Sequence, residues 1–314
     1  MRQIRTWAAF AVAAAASAAG LAACGPADPE TGGSNEPSLR VILIPADGGT
    51  EDGTRADYEP IFAAVGRLTQ LSFDISVGQS YNSVVEAMCT GAAEVAFMGP
   101  VTYLQARERG CVELLAVGAE GGQSTYYAGI LTRADAPFQS VADLKGASVA
   151  FGDVNSASSF VFQMTMLLDA GLDPPEDLSV IRLTGSHANS LAALAHGQVD
   201  AAAASLDSFE KAVAQNALDP TAIRVLAVSD PIPYPPLVMS ARLPPDLKAR
   251  LKAGFAQAHQ AEGVSPEMIR GYGGKRVDRY DTEFGPERFD AAEAAMKRVD
   301  LALREAVLKK AGSS

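Results

Sequence analysis

Residues 147–168 read Ala-Ser-Val-Ala-Phe-Gly-Asp-Val-Asn-Ser-Ala-Ser-Ser-Phe-Val-Phe-Gln-Met-Thr-Met-Leu-Leu, and this stretch decides the fold. An apolar strand at 147–151 ends at a Gly-Asp turn, and small residues then open a long apolar helix. The first residues of a helix carry unpaired N–H groups and the positive end of the dipole, so they suit a bound oxyanion. Ser156, Ser158 and Ser159 add hydroxyl donors. A serine N-cap explains the same pattern more simply, and both interpretations stay open at this point.

Strands and helices alternate on both sides of this turn. The strand patterns lie at 39–45, 73–77, 94–98, 148–151, 178–182, 201–204 and 223–228. The helix patterns lie at 58–68, 81–90, 100–108, 158–170, 190–196 and 207–214, the first of them preceded by a Gly/Asp-rich loop at 46–53. Alternation at this spacing predicts an α/β protein whose sheets are mostly parallel and flanked by helices.

Two extended segments, 126–131 and 229–238, interrupt this rhythm and read as crossings between two units. Two α/β lobes joined by two hinge strands describe a type II periplasmic binding protein. We expect lobe 1 to comprise 39–127 and 236–314, and lobe 2 to comprise 128–235. The remainder, 244–310, is predicted to be mainly helical and to pack on the first unit. In such open sheets a ligand lies beyond the carboxyl ends of the strands, here between the lobes.

The N-terminus reads as an export signal. Arg2 and Arg5 precede an apolar run that ends at Leu-Ala-Ala-Cys24, which resembles a bacterial lipobox. We expect residues 1–23 to be removed and Cys24 to be lipidated, although a soluble secreted protein cut at an Ala-x-Ala site is the alternative. The polar, Pro-rich residues 24–38 then form a flexible tether. The expected location is extracytoplasmic, anchored to the cell membrane through lipid.

Charge and cysteine content narrow the partners. Removing the signal takes away two of the 26 basic residues and none of the 37 acidic ones, so the net charge falls from −11 to −13. This acidity argues against nucleic acid or an anionic lipid surface as a partner. Cys89 and Cys111 end two successive helix patterns, and in an oxidising compartment they favour a disulfide. Only His187 and His196 lie near each other among the histidines, so we expect no metal and no cofactor.

Several motifs occur in a fixed order along the chain. They are 81–88 followed by 93–103, then Ser-Thr-Tyr-Tyr at 124–127, Asp-Val-Asn-Ser-Ala-Ser-Ser at 153–159, Gly-Ser-His at 185–187 and Gly-Gln-Val-Asp-Ala at 197–201. Their order and spacing resemble the phosphate/phosphite/phosphonate-binding proteins of ABC importers over roughly 39–260. Two positions depart from that family. Ala157 replaces a frequent Thr, and Pro235 stands where binders of aminoalkylphosphonates carry an acid.

The resemblance implies a set of ligand-binding residues. They are Tyr81, Tyr103, Tyr126, Ser156, Ala157, Ser158, Ser159, His187 and Asp207. Hydroxyls, an imidazole and the backbone N–H of Ala157 would donate hydrogen bonds to a tetrahedral oxyanion. A carboxylate at Asp207 repels an anion unless a proton lies between them, which a protonated oxyanion or an ammonium group on the ligand would supply.

Each of these residues also has an ordinary structural explanation. The tyrosines Tyr81, Tyr103 and Tyr126 could be packing residues, and His187 could be structural. Asp207 could cap the helix that follows it.

The sequence thus predicts a monomeric solute-binding lipoprotein rather than an enzyme. It would capture a small phosphorus oxyanion (phosphite, phosphonate or phosphate) and deliver it to an ABC permease and its ATPase. The chain has no Gly-x-Ser-x-Gly elbow and no Gly-rich Lys-Ser/Thr phosphate loop. A sensor or interaction lipoprotein of the same fold is an alternative, as is a binder of another small molecule such as a thiamine precursor or a sulfonate.

Overall fold

The computed structural model describes residues 38–45 and 51–313. The predicted signal peptide, the lipidation site at Cys24 and nearly all of the tether lie outside the described residues. Within the described part, no helix combines the length and apolar character needed to cross a bilayer.

The strands and helices have the following bounds. The strands are β1 Leu39–Leu43, β2 Phe73–Val77, β3 Val95–Phe97, β4 Val112–Ala119, β5 Thr125–Tyr126, β6 Ala128–Arg133, β7 Ser148–Phe151, β8 Val180–Leu183, β9 Ala201–Ser205, β10 Ile223–Val228, β11 Ile232–Pro233, β12 Pro236–Ser240 and β13 Arg279–Asp281. The α-helices are α1 Glu51–Thr69, α2 Tyr81–Thr90, α3 Pro100–Glu108, α4 Phe162–Asp169, α5 Pro174–Asp177, α6 His187–Ala195, α7 Leu206–Ala214, α8 Pro245–Gln257, α9 Asp290–Arg298 and α10 Leu301–Gly312.

The described strands form two large sheets and one small one. The first sheet has the order β13-β4-β12-β3-β1-β2, and the second has the order β10-β6-β9-β7-β8. In each sheet a parallel group (β2-β1-β3 and β8-β7-β9) is extended by antiparallel strands. These added strands include β6 and β12, which overlap the ends of the predicted crossings 126–131 and 229–238.

The crossings pair with each other. Tyr126 of β5 lies opposite Ile232 of β11 in an antiparallel two-stranded ribbon. The chain therefore leaves the first sheet beside the point where it returns, which is the arrangement of a double hinge. The predicted α/β class with two sheets and two hinge strands is confirmed. The exact lobe boundaries stay a prediction.

Helix α1 begins earlier than the sequence pattern predicts. It starts at Glu51, seven residues before the expected Tyr58, and its first turn carries Glu51 and Asp52. Acidic side chains there interact favourably with the positive end of the helix dipole.

The buried strand β4 is another element that the sequence pattern does not predict.

The C-terminal region does not all pack on the first unit, contrary to expectation. Helix α8 lies against α1 and β4 of the first unit, but α10 lies against β8 and α5 of the second. Arg298, at the end of α9, pairs with Asp169 at 2.7 Å. Helix α10 therefore supports the unit that contains residues 156–159, which we call the serine turn.

A disulfide joins Cys89 and Cys111, with the two sulfurs 1.98 Å apart. It ties the end of α2 to the residue before β4. The cysteines are separated by 22 positions, and closing a loop of that size stabilises the fold by about 3 kcal/mol in the chain-entropy account.

Candidate functional site

The serine turn is π-helical. Residues Ala157–Val161 form a π-helix ahead of α4, and the N–H of Val161 donates to the carbonyl oxygen of Ser156 at 3.1 Å. The Oγ of Ser156 caps this helix by accepting from the N–H of Ser159, also at 3.1 Å. Residues 156–159 are all buried. Single π-helical turns are frequent at functional sites, because they shift backbone groups out of the α-helical ladder.

Ser159 carries a hydroxyl that the fold leaves unsatisfied. Its side chain is fully buried, and its Oγ has no hydrogen-bond partner among the residues that the structure describes. A Cβ at Gly152 would lie 2.2 Å from that oxygen, so only glycine fits beside it. An unsatisfied buried hydroxyl costs about 1–3 kcal/mol. A bound acceptor would recover this cost, which favours the anion interpretation of the turn over the simple cap.

Neighbouring elements hold the turn in place. Asp153 accepts from the N–H of Asn155 at 2.7 Å, and Gln105 of α3 donates to the Asn155 side chain at 3.2 Å. Arg304 of α10 donates to the carbonyl oxygen of Val154 at 2.7 Å. Burial raises the pKa of Asp153, while the hydrogen bond from Asn155 and the charge of Arg304 act in the opposite direction.

His187 is the first residue of α6 and is buried. Its Nδ1 accepts a hydrogen bond from the N–H of Ser205 at 2.8 Å. This contact assigns the proton of the neutral ring to Nε2. The Nε2 lies 3.0 Å from the hydroxyl of Tyr272 and 3.5 Å from Oγ of Ser156. His187 therefore presents an N–H donor beside the serine turn.

Three tyrosines, Tyr81, Tyr126 and Tyr272, lie near His187. The hydroxyl of Tyr81, at the start of α2, lies 3.4 Å from that of Tyr272. The ring of Tyr126, in the hinge ribbon, lies 6.0 Å from the ring of Tyr272. The structure thus links Tyr81 and Tyr126 to His187 through Tyr272, a residue that no sequence motif predicts for the site.

Tyr272 lies in a short loop, 271–275, that contacts helix α1 beside the first sheet and helix α7 beside the second. Tyr58 of α1 donates to the carbonyl oxygen of Gly271 at 2.7 Å, and Lys211 of α7 donates to that of Gly273 at 2.6 Å. Gly273 and Gly274 have φ values of 64° and 76°, which side chains rarely tolerate. These glycines turn the loop sharply enough for Tyr272 to be buried beside His187.

Asp207 lies next to this cluster, but its carboxylate is already paired. Its Oδ1 is 3.0 Å from Nζ of Lys275, and its Oδ2 accepts from the hydroxyl of Tyr234 at 3.4 Å. Burial, followed by the charge of Asp207, raises the pKa of Tyr234 well above its ordinary range. Asp207 does not cap α7, because Oγ of Ser205 does so by accepting from the N–H of Ser208. The ammonium group of Lys275 thus offsets the negative charge of this carboxylate.

Tyr103 lies away from the other predicted residues. Its ring is 4.7 Å from that of Phe289, and the guanidinium of Arg107 lies over the ring. Burial raises its pKa, and Arg107 opposes that shift. The packing alternative is thus the one that the structure supports for Tyr103.

A cleft of about 630 Å³ adjoins the cluster. Its walls come from the start of α1, from α7 and from the loop 270–275, and Asp207, Tyr272 and Lys275 line it. Of the clustered residues Tyr272 reaches this cleft, whereas residues 156–159 and His187 do not line it.

Tyr234, Tyr272 and Lys275 are the site residues that the sequence analysis does not identify. The signal available for two of them is the run Gly271-Tyr272-Gly273-Gly274-Lys275, whose three glycines are incompatible with the helix expected over 244–310. Tyr234 lies in the second predicted crossing but carries no pattern that distinguishes it there.

Comparison with known proteins decides the family. A family described as the periplasmic substrate-binding protein of phosphonate ABC transporters matches residues 49–281. The chain belongs to this family. It is therefore an extracytoplasmic substrate-binding protein of an ABC importer, which works with a permease and an ATPase and is not an enzyme.

Individual relatives agree with this assignment. The substrate-binding protein is 28% identical over 242 residues to the phosphate-import protein PhnD of Mycolicibacterium smegmatis, which covers 73% of this chain and 74% of the relative. Its fold is similar to a phosphonate-transporter binding protein from Pseudomonas aeruginosa (TM-score 0.73, 17% identity, 89% and 94% coverage). It is also similar to PhnD1 of Prochlorococcus marinus in complex with methylphosphonate (TM-score 0.71, 15% identity, 83% and 98% coverage).

Proposed function

We propose that this protein captures one small phosphorus oxyanion (phosphite, phosphate or a short alkylphosphonate) between its two lobes, and that it does so as a lipoprotein anchored through Cys24. The observation that carries the proposal is the unsatisfied, buried Oγ of Ser159 in a π-helical turn opposite His187 and Tyr272.

The donor set suits a tetrahedral oxyanion. Ser156 and Ser159 and the first N–H groups of the helix approach from one side, and Nε2 of His187 from another. The hydroxyls of Tyr81 and Tyr272 complete the cluster. These donors are neutral, so the anion would be held by hydrogen bonds in a buried setting, where each bond to a charged group contributes about 1.5–3 kcal/mol.

Three features favour a compact ligand. The hydroxyl of Tyr272 lies between Tyr81 and His187, so it limits the space available for a substituent on phosphorus. Ala157 and Pro235 each replace a polar residue that the wider family often carries. The names of two relatives, a phosphate-import protein and a methylphosphonate complex, support ligands of this size.

Binding would couple to closure around the hinge ribbon. The loop 271–275 contacts α1 through Tyr58 and α7 through Lys211, so it links a helix packed on the first sheet with a helix packed on the second. Closure brings Tyr81 and Tyr126 toward the serine turn and excludes water, which strengthens every hydrogen bond to the anion. The closed form then docks on the permease.

Calorimetry tests the ligand assignment. We expect the mature protein to bind at least one of phosphate, phosphite and methylphosphonate, and to discriminate against sulfate. Ser159→Ala should weaken that binding at least about tenfold, because it removes a buried donor.

Thr132→Val is the matched control, since the hydroxyl of Thr132, on strand β6, is also buried and has no partner within the described part of the chain. Equal affinities of Ser159→Ala and the unchanged protein would contradict the site. Binding of none of these anions would contradict the proposed function itself.

The anchor is tested separately. Mass spectrometry of the protein purified from membranes should show a diacylglycerol-modified Cys24 at the mature N-terminus. Cys24→Ala should release the protein from the membrane fraction. An unmodified N-terminus at another position would support the soluble alternative.

A further inference from the structure

A lysine and two carboxylates form a cluster at the wall of the candidate site. Nζ of Lys275 lies 3.0 Å from Oδ1 of Asp207 and 3.1 Å from Oε2 of Glu120. The side chain of Asp207 is 14% exposed and that of Lys275 is 34% exposed, whereas Glu120 is half exposed. One ammonium group therefore serves two acidic residues, one in helix α7 and one directly after strand β4.

The cluster is connected to the residues that face the anion. Tyr234 donates to Asp207, and its ring lies 5.5 Å from that of Tyr126. Lys275 follows Tyr272 by three residues in the same loop, and both line the 630 Å³ cleft together with Asp207. A ligand substituent that is attached to phosphorus and points toward Tyr126 would therefore contact this cluster.

The charges explain what the lysine does. Two carboxylates that converge on one point repel each other and attract a cation. The lysine provides that cation: burial lowers its pKa, but the hydrogen bonds and charges of Asp207 and Glu120 outweigh burial and leave the pKa raised. Without the lysine, Asp207 would keep its hydrogen bond from Tyr234 and lose its counter-charge, which is costly for a largely buried carboxylate.

We propose that Lys275 is a specificity-determining residue: its ammonium group fills the cation position between Asp207 and Glu120, so the site accepts phosphorus oxyanions without an amino group and rejects those that carry one. The inference rests on the proposed function, because it assigns the substrate class of the same site. It gives Asp207 a role in selectivity that needs no proton shared with the anion.

A pair of ligands that differ by one ammonium group tests the inference. Ethylphosphonate and 2-aminoethylphosphonate are titrated calorimetrically into the unchanged mature protein and into Lys275→Met. We expect the unchanged protein to prefer ethylphosphonate by about tenfold or more. Lys275→Met should shift the preference toward 2-aminoethylphosphonate by at least about tenfold, since the ligand's ammonium takes the vacated position between two carboxylates.

Three further variants make the result specific. Lys275→Arg keeps the charge and should keep the preference of the unchanged protein. Lys275→Met combined with Asp207→Asn should lose the gain. Lys297→Met removes a lysine from an exposed pair with Glu293, so it controls for net charge and should change nothing. Thermal melting confirms that each variant is folded.

The outcomes separate the two proposals. An unchanged ligand preference in a folded Lys275→Met variant overturns the inference alone, provided that ethylphosphonate or a smaller oxyanion still binds. Loss of ethylphosphonate binding without any gain of 2-aminoethylphosphonate also overturns it, because Lys275 would then contact the anion directly. Absence of binding of any phosphorus oxyanion to the unchanged protein overturns both proposals.

Discussion

The backbone N–H of Ser205 donates to Nδ1 of His187 across 2.8 Å, so the end of strand β9 fixes the tautomer of a ring at the start of α6. Ser205 also caps α7 through its side chain. One residue thereby positions the imidazole on one side and the helix that carries Asp207 on the other. The consequence for binding is that His187 donates from Nε2 while it is neutral.

We expect His187→Ala to weaken anion binding by about 10- to 100-fold, the range for loss of one hydrogen bond to a charged ligand. Isothermal titration with the tightest-binding oxyanion measures the change. His196→Ala is the control, since its ring is exposed and its Nδ1 lies 2.7 Å from the carbonyl oxygen of Ala192 in the preceding turn. An affinity within twofold of the unchanged protein would remove His187 from the site.

Tyr272→Phe should reduce affinity about tenfold while leaving the fold intact, because the hydroxyl near Tyr81 and His187 is lost and the ring packing remains. Tyr127→Phe changes an exposed tyrosine one residue after Tyr126 and should have no effect. If Tyr272→Phe instead binds larger alkylphosphonates more tightly, the hydroxyl acts mainly by limiting ligand size. Titration with methyl- and propylphosphonate distinguishes these cases.

Lys211→Met should destabilise the closed form, since it removes the hydrogen bond to the carbonyl oxygen of Gly273. We expect a larger radius of gyration in small-angle scattering with ligand present, together with binding weakened by about three- to tenfold. Lys309→Met, in the last turn of α10, is the control. Identical scattering curves for the ligand-saturated unchanged and variant proteins would argue against this link in closure.

Asp153→Asn should stabilise the protein at neutral pH. Burial raises the pKa of Asp153, so the folded state favours its protonated form. The contribution of protonated Asp153 to the free energy of unfolding is complete below the ordinary pKa near 4 and is lost as the pH rises through the raised pKa. At pH 7 the buried side chain therefore carries a charge that the folded state disfavours. Asparagine keeps the oxygen that accepts from Asn155. We expect the melting temperature to rise by about 1–3 °C at pH 7.

The gain from Asp153→Asn should vanish near pH 4, where aspartate is itself protonated. Differential scanning calorimetry at both pH values checks the sign. Asp135→Asn, at an exposed position, supplies the matched control. A lower melting temperature at pH 7 would mean that the charge of Asp153 is needed by the turn.

Tyr234→Phe should make the free energy of unfolding decrease less steeply as the pH rises above about 10. The raised pKa of Tyr234 means that the folded protein retains a proton that the unfolded chain releases near pH 10. Its stabilising contribution is therefore complete below about pH 10 and falls by up to about 1.4 kcal/mol per pH unit above it. Thermal melts from pH 8 to 11 should show a shallower decline in the variant, and parallel curves would contradict the prediction.

Much of this molecule follows from local sequence patterns, and the failures have identifiable physical causes. The alternating strands and helices, the crossings and the turn at 152–159 predict the α/β lobes and their hinge, because each pattern acts over a short range. Strand β4 is missed because it is mostly buried and lacks the alternation of a half-exposed strand.

The candidate site likewise contains residues that local motifs predict and residues that they do not. Tyr81, Tyr126, His187 and the serine turn lie in ordered motifs, so the sequence identifies them. Tyr272 and Lys275 enter the site only because contacts distant in sequence, to Tyr58 and Lys211, hold their loop against it. No local pattern encodes such contacts.

Arg304 belongs to helix α10, and its guanidinium donates a hydrogen bond to the carbonyl oxygen of Val154 beside the serine turn. The turn therefore depends on a residue 150 positions further along the chain. A chain cut short before Leu301 would retain every proposed ligand-binding residue and still lack the support of its turn. We expect such a shortened chain to bind the anion more weakly, although no ligand-binding residue has been removed.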